Sequence, residues 1–214
     1  MSTLAFCFWG VRGSLPSAGA QTVGYGGNTP CLEVKAGDRR FIVDMGSGLR
    51  PLGAAIGFGP HDAHILLTHY HYDHVQGLPF FGPMFNPANR FSVHGPAFEG
   101  RDVRALLAGQ MVKPYFPVGL EVVRAKLDFH TIPVKSELQF GDVKIQTDAL
   151  SHPDGCIGYR FEVGGRTLVY CTDIEHDYGA GDERLMALGR DADVIIIDEL
   201  ADLMVDKMDF GLVE

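Results

Sequence analysis

A chain of 214 residues with 46% hydrophobic and 21% charged content can bury a sizeable core and is ordinary for a globular protein. Its formal net charge of −9, with no basic cluster larger than Arg39-Arg40, argues against extended nucleic acid as a partner, which needs a positive groove along the phosphates. No apolar run is long enough to span a bilayer, and Met1-Ser2-Thr3-Leu4-Ala5-Phe6 lacks the basic and apolar parts of a signal peptide, so a cytoplasmic location is expected.

Short runs rich in Val, Ile, Leu and Phe, bounded by Gly, Asp or Pro, predict strands near 3–9, 30–35, 40–45, 63–68 and 90–94. Further strands are predicted near 143–149, 157–163, 166–172 and 193–198. Asp102 to Met111 reads as a helix with Asp102 as N-cap, and Glu183 to Leu188 as a short helix before the last strand. Strands near both ends with interspersed helices suit an α/β architecture. No repeat, linker or low-complexity run divides the chain, so a single domain over 1–214 is expected. Cys7, Cys31, Cys156 and Cys171 are far apart and lie in or beside predicted strands, as buried reduced thiols do.

The most informative stretch is Thr68-His69-Tyr70-His71-Tyr72-Asp73-His74, with three imidazoles and a carboxylate between positions 69 and 74. It follows Ala63-His64-Ile65-Leu66-Leu67, a buried-strand pattern, so the cluster sits where a strand gives way to a loop or helix. Imidazole nitrogen and carboxylate oxygen are the usual ligands of zinc and related metals. On an extended end His69 and His71 point the same way and can hold one metal. After the chain turns, Asp73 and His74 can reach a second. Three other residues stand at strand ends: Asp44 before Met45-Gly46-Ser47-Gly48, His152 before Pro153-Asp154-Gly155, and Asp173 closing an apolar run. The glycine-rich segments Gly10 to Ser14 and Gly24 to Asn28 can bring backbone close to a site, with Arg12 and Asn28 as phosphate contacts. Leu78 to Phe85 reads either as core or as a cleft wall.

His69 to His74 spell H-x-H-x-D-H, which resembles the signature of the metallo-β-lactamase-fold hydrolases. The resemblance extends through Phe8 to Ser14, Tyr25 to Cys31, Phe41 to Gly48 and Gln76 to Phe81, in family order. These segments are similar to a phosphodiesterase branch that includes ribonuclease Z and the cyclic-phosphate phosphodiesterase of phosphonate metabolism. The resemblance implies a four-layer αββα sandwich with two divalent metal ions, zinc by default for a His/Asp set and manganese or iron as alternatives. His69, His71 and His152 then bind the first metal, Asp73 and His74 the second, and Asp173 bridges them. Asp44 orients the ligands. The implied reaction is hydrolysis of a phosphodiester, such as a cyclic nucleotide or another small cyclic phosphate, by a metal-bridging hydroxide that Asp73 helps orient.

One departure from the family stands out. Its last motif is a histidine after the final core strand, whereas here Leu212, in Gly211-Leu212-Val213, falls near that place and His176 is the last histidine. A shortened or diverged C-terminus is expected, with a weaker second metal site. His176, three residues beyond Asp173, is the candidate substitute as ligand or general acid. Asp202, Asp206 and Asp209 could supply a carboxylate instead. Two other functions stay open: a carboxylic ester, thioester or lactone hydrolase on the same site, and a non-catalytic metal-binding regulatory protein. A small phosphodiester is the expected partner, without membrane, and a homo-oligomer is compatible with the sequence.

Overall fold

The computed structural model describes residues 3–175 and 181–199. The chain divides into two compact units, Met1–Pro133 and Val134–Glu214, each built on one sheet. Among the described residues no helix is long and apolar enough to cross a membrane.

The first unit carries β1 (Leu4–Gly10), β2 (Cys31–Ala36), β3 (Arg39–Val43), β4 (Asp62–Leu66), β5 (Arg90–Gly95) and β6 (Lys126–Thr131), side by side in that order. β1 to β3 run antiparallel, and β3 to β6 run parallel. Parallel neighbours need crossover segments. Helix α1 (Leu49–Ile56) lies between β3 and β4, the one-turn α2 (Tyr72–Val75) between β4 and β5, and α3 (Val103–Gly109) between β5 and β6. Alternation along the strands sends Ile42, Ala63, Ile65, Phe91 and Val93 to one face. There they pack with Leu49 and Leu52 of α1 and Val103 and Leu107 of α3, all almost fully buried. Each large apolar side chain buried this way contributes roughly 1.5–3 kcal/mol.

The predicted helix at 102 is present, and the Asp102 side chain accepts from the Ala105 amide at 2.7 Å as an N-cap. Helix α1 was not legible, because Leu49-Arg50-Pro51-Leu52-Gly53 holds two helix breakers. Both have local reasons. Pro51 lies in the first turn, where a missing N–H costs nothing. Gly53 faces the Phe81 ring, which a Cβ would meet at 2.8 Å.

The second unit holds β7 (Ser136–Phe140), β8 (Val143–Leu150), β9 (Cys156–Val163), β10 (Arg166–Ile174) and β11 (Val194–Glu199). β7 to β10 form an antiparallel meander. Helix α4 (Gly181–Gly189) then returns the chain so that β11 lies parallel to β10. Leu185 and Leu188 of α4 pack over Leu150, Cys156, Val169 and Cys171.

Cys31, Cys156 and Cys171 are buried free thiols as expected, but Cys7 is exposed, because β1 is an edge strand covered on one side only. Burial pushes the Cys171 thiol up to about 12. It lies in an apolar cluster with Leu150, Val169 and Ile174.

On the face of the first sheet opposite the helices, a row of rings runs across four strands. Phe41 lies 5.2 Å from His64, His64 lies 5.7 Å from His94, and His94 lies 4.6 Å from His130 between ring centroids. Burial, aided by His130 and His64, pushes the His94 imidazole down from 6.5 to about 4. Burial and the Arg39 charge lower His64 as well, against an opposing pull from Asp62. The unfolded chain takes up the His94 proton near pH 6.5, but the folded chain holds it off until about pH 4. Stability from this group is therefore present above pH 6.5 and is lost as the pH falls through that window. Between about pH 7.5 and 5 the expected loss is about 1–2 kcal/mol, read by urea unfolding of chelator-treated protein. His94→Gln should remove that part of the slope, and identical slopes in both proteins would refute the assignment.

Candidate metal centre

The site begins with one buried carboxylate. Asp44 follows β3 in the left-handed region, at φ 62°, where Asp is tolerated better than most residues. Its amide donates to the Leu66 carbonyl at 2.9 Å, which ties the end of β3 to the end of β4. Its side chain is fully buried and faces the next residues of that neighbouring segment. The Thr68 amide donates to Asp44 Oδ1 at 2.9 Å, and the Thr68 hydroxyl lies 3.0 Å from both carboxylate oxygens. His74 Nδ1 lies 2.9 Å from Asp44 Oδ2. Burial raises the Asp44 carboxyl above its ordinary value, while the His74 charge and the hydrogen bonds from His74 and Thr68 oppose that rise.

This geometry fixes the protonation of two histidines. A carboxylate only accepts, so His74 carries its proton on Nδ1. The Thr68 hydroxyl gives its single hydrogen to Asp44, so its oxygen accepts from His69 Nδ1, 3.0 Å away. With Nδ1 engaged in this way, Nε2 is the nitrogen that each neutral ring would offer a metal.

The chain turns at His71, the N-cap residue of α2. The His69 and His71 rings meet edge-on at 4.5 Å, and the His69 and His74 rings lie 4.2 Å apart. His69 thus offers a ring nitrogen within 4.8 Å of one from each of the other two. Asp73 Oδ2 lies 3.6 Å from His74 Nε2. His69, Asp73 and His74 are buried, whereas His71 is half-buried and Tyr72 is exposed. Helix α2 is strapped to the segment after β3: Met45 N donates to the His74 carbonyl at 2.7 Å and Gly77 N to the Met45 carbonyl at 2.8 Å. The approach needs glycines. A Cβ on Gly46 would meet the Asp73 carbonyl at 2.4 Å, and one on Gly77 would meet the Gly46 carbonyl at 2.0 Å.

In the second unit Asp173 is buried near the end of β10, at φ 54°. The register with β11 shifts between Cys171 and Ile174, so the ladder is irregular where Asp173 stands. The Thr172 hydroxyl donates to Asp173 Oδ2 at 3.3 Å. His152 lies just beyond β8, and Glu175 N donates to the Ser151 carbonyl at 2.8 Å, so the His152 and Asp173 segments run side by side. Glu175 Oε1 lies 3.7 Å from His152 Nδ1. Glu175 and the double role of Thr68 were missed in the sequence. Their one signal is adjacency, two residues after Asp173 and one before His69.

Of the expected site residues, the first unit brings together His69, His71, Asp73 and His74 around Asp44, and the second places His152 and Asp173 on adjacent segments. His176, Asp202, Asp206, Asp209 and Gly211 to Val213 lie outside the described residues. Asn28 has a structural role in the loop. Its carbonyl accepts from the Val11 and Arg12 amides at 2.9 Å, and its Oδ1 accepts from the Ser47 hydroxyl at 3.1 Å. Asn28 therefore holds the loop that carries Arg12. The donor set of the first unit, imidazole nitrogens of fixed tautomer beside a carboxylate, fits a divalent ion. Asp44→Ala removes the acceptor of three buried donors and should lower stability by about 3 kcal/mol or more. It should also weaken metal binding roughly 10–100-fold. Urea unfolding and chelator competition check the two effects separately.

Comparison with known proteins places this arrangement. Residues 39–207 match the family model described as the beta-lactamase superfamily domain. Ribonuclease Z of Pyrococcus furiosus is 31% identical over 140 residues, covering 63% of this chain and 42% of that relative. The chain spans half or less of the length of the curated relatives it matches first. Among solved structures, the metallo-beta-lactamase fold protein YhfI from Bacillus subtilis superposes with a TM-score of 0.64 at 19% identity, over 90% of this chain and 69% of that one. Human tRNase Z, short form, gives 0.65 at 16% identity, over 97% and 82%. The two sheets and their helices are thus those of the metallo-β-lactamase fold, and the chain belongs to the β-lactamase superfamily.

Proposed function

We propose that the protein is a metal-dependent hydrolase that cleaves a phosphodiester in a small substrate, a cyclic nucleotide or another small cyclic phosphate. The observation that carries this reading is the Asp44 network, which sets two histidines with Nε2 as the ligating atom beside a buried carboxylate. The ribonuclease Z relatives support the phosphodiester class. The net charge of −9 favours a small substrate over a structured nucleic acid. Both units together form one functional domain in the cytoplasm.

In this reading His69, His71 and His152 hold one ion, Asp73 and His74 hold the other, and Asp173 joins them, with zinc as the metal. When bound, the ions supply an activated water and neutralise the phosphoryl oxygens. The chain's own residues do the rest. Asp44 and Thr68 keep His69 and His74 in one tautomer and one orientation. Asp73 orients the attacking oxygen. Glu175 steadies His152 through Nδ1. His176 gives a proton to the leaving oxygen.

His71→Ala should abolish phosphodiester hydrolysis while leaving the circular dichroism spectrum unchanged, and retained turnover would sink the reading. Elemental analysis should find two metal equivalents per chain. A side-by-side assay of bis(p-nitrophenyl) phosphate and a lactone should favour the phosphodiester. For His176→Ala, an unchanged metal content together with unchanged turnover removes His176 from the site.

A further inference from the structure

We infer that Ser14 is a positioning residue for Asp73, and that the loop between β1 and β2 is the bracket that presents it. The inference rests on the two-metal reading above and deepens it. The Ser14 amide donates to Asp73 Oδ2 at 2.8 Å, across 59 positions of sequence. Oδ2 is the same oxygen that faces His74 Nε2 at 3.6 Å. A backbone N–H on that oxygen fixes the carboxylate rotamer on the side that faces His74.

The loop is built to deliver that amide. Ser14 sits in the left-handed region at φ 63°, without being glycine. Such a conformation persists only where the surroundings impose it. The base of the loop imposes it. The Val11 and Arg12 amides both donate to the Asn28 carbonyl at 2.9 Å, and the Ser17 amide donates to the Gly27 carbonyl at 2.9 Å. The Thr22 hydroxyl lies 3.0 Å from the Ser17 and Gly19 carbonyls. Two glycines allow the closure: a Cβ on Gly10 would lie 1.9 Å from the Thr29 carbonyl oxygen, and one on Gly27 would lie 1.6 Å from that of Ser17.

A second anchor reaches the same helix. Thr29 Oγ1 accepts from the Ser47 amide at 2.7 Å and from Gln76 Nε2 at 3.1 Å, and Gln76 is the C-cap residue of α2. The loop thus grips α2 at both ends, at Asp73 and at Gln76. Its glycine-rich motif acquires a purpose that tight turning alone leaves unexplained.

The test compares Ser14→Pro, which removes the amide hydrogen, with Ser14→Gly, which keeps it and relaxes the backbone. Zinc is titrated against a chelator into metal-free protein, and the melting temperature of the metal-free form is followed by circular dichroism. Ser14→Pro should lose tenfold or more in affinity for one of two ions and keep the other, with any loss from the proline's own φ read separately in the metal-free melting temperature. Ser14→Gly should bind as the parent does. Because proline also changes the loop's path, Gly27→Ala serves as a second variant: it keeps the amide but shifts the base, and should weaken the same ion. Two ions held equally well by the parent and Ser14→Pro overturn this role alone, as does equal weakening of both ions with a lowered melting temperature. A parent protein that binds no zinc overturns the two-metal reading and this role with it.

Discussion

A single buried carboxylate, Asp44, organises the histidine cluster of the first unit. Asp44 accepts from the amide and hydroxyl of Thr68 and from the ring of His74, and its own amide closes onto β4. A carboxylate without water survives only when its lone pairs are filled by donors. The same donors fix how His69 and His74 are held, so the bonds that satisfy a buried charge also orient two imidazoles. They come within reach because β3, which Asp44 follows, and β4, which leads to the histidines, are parallel neighbours with their ends level.

Backbone proximity supplies the rest of the rigidity. Gly46 and Gly77 let two segments meet at distances that any side chain would forbid, and Gly48 does the same against Trp9, whose carbonyl carbon would lie 2.7 Å from a Cβ. Contacts of this kind resist shear better than interleaved side chains, because no rotamer change can relieve them. Three segments distant in sequence, the β1–β2 loop, the residues after β3, and α2, are clamped together here. Asp73 and His74 stand on that clamp rather than on a freely moving loop.

Much of this was legible in the sequence because the relevant signals are short and local. The dense His69 to His74 run names its own chemistry, and Asp102 announces its helix by a capping rule that acts over three residues. Strands β6 and β7 escaped notice because Lys126-Leu127-Asp128-Phe129-His130-Thr131 and Ser136-Glu137-Leu138-Gln139-Phe140 offer only two apolar side chains each. They pair at sheet edges, where one apolar row suffices. Helix α1 hid behind Pro51 and Gly53, since the reasons that excuse them, a first-turn position and the Phe81 ring, are not visible in the local sequence. Thr68 and Glu175 were missed for a related reason. Their importance comes from what lies opposite them after folding, and a threonine or glutamate on its own carries no such mark.

Helix α2 is four residues long, well below the length at which a helix sustains itself in water. Its single turn exists because Met45 and Gly77 tie it down, and those bonds need β3 and β4 already paired. The spacing of His71, Asp73 and His74 is therefore a tertiary property, set by contacts and not by local helix propensity. A change in the residues after β3, almost thirty positions away, would disperse all three without touching one of them.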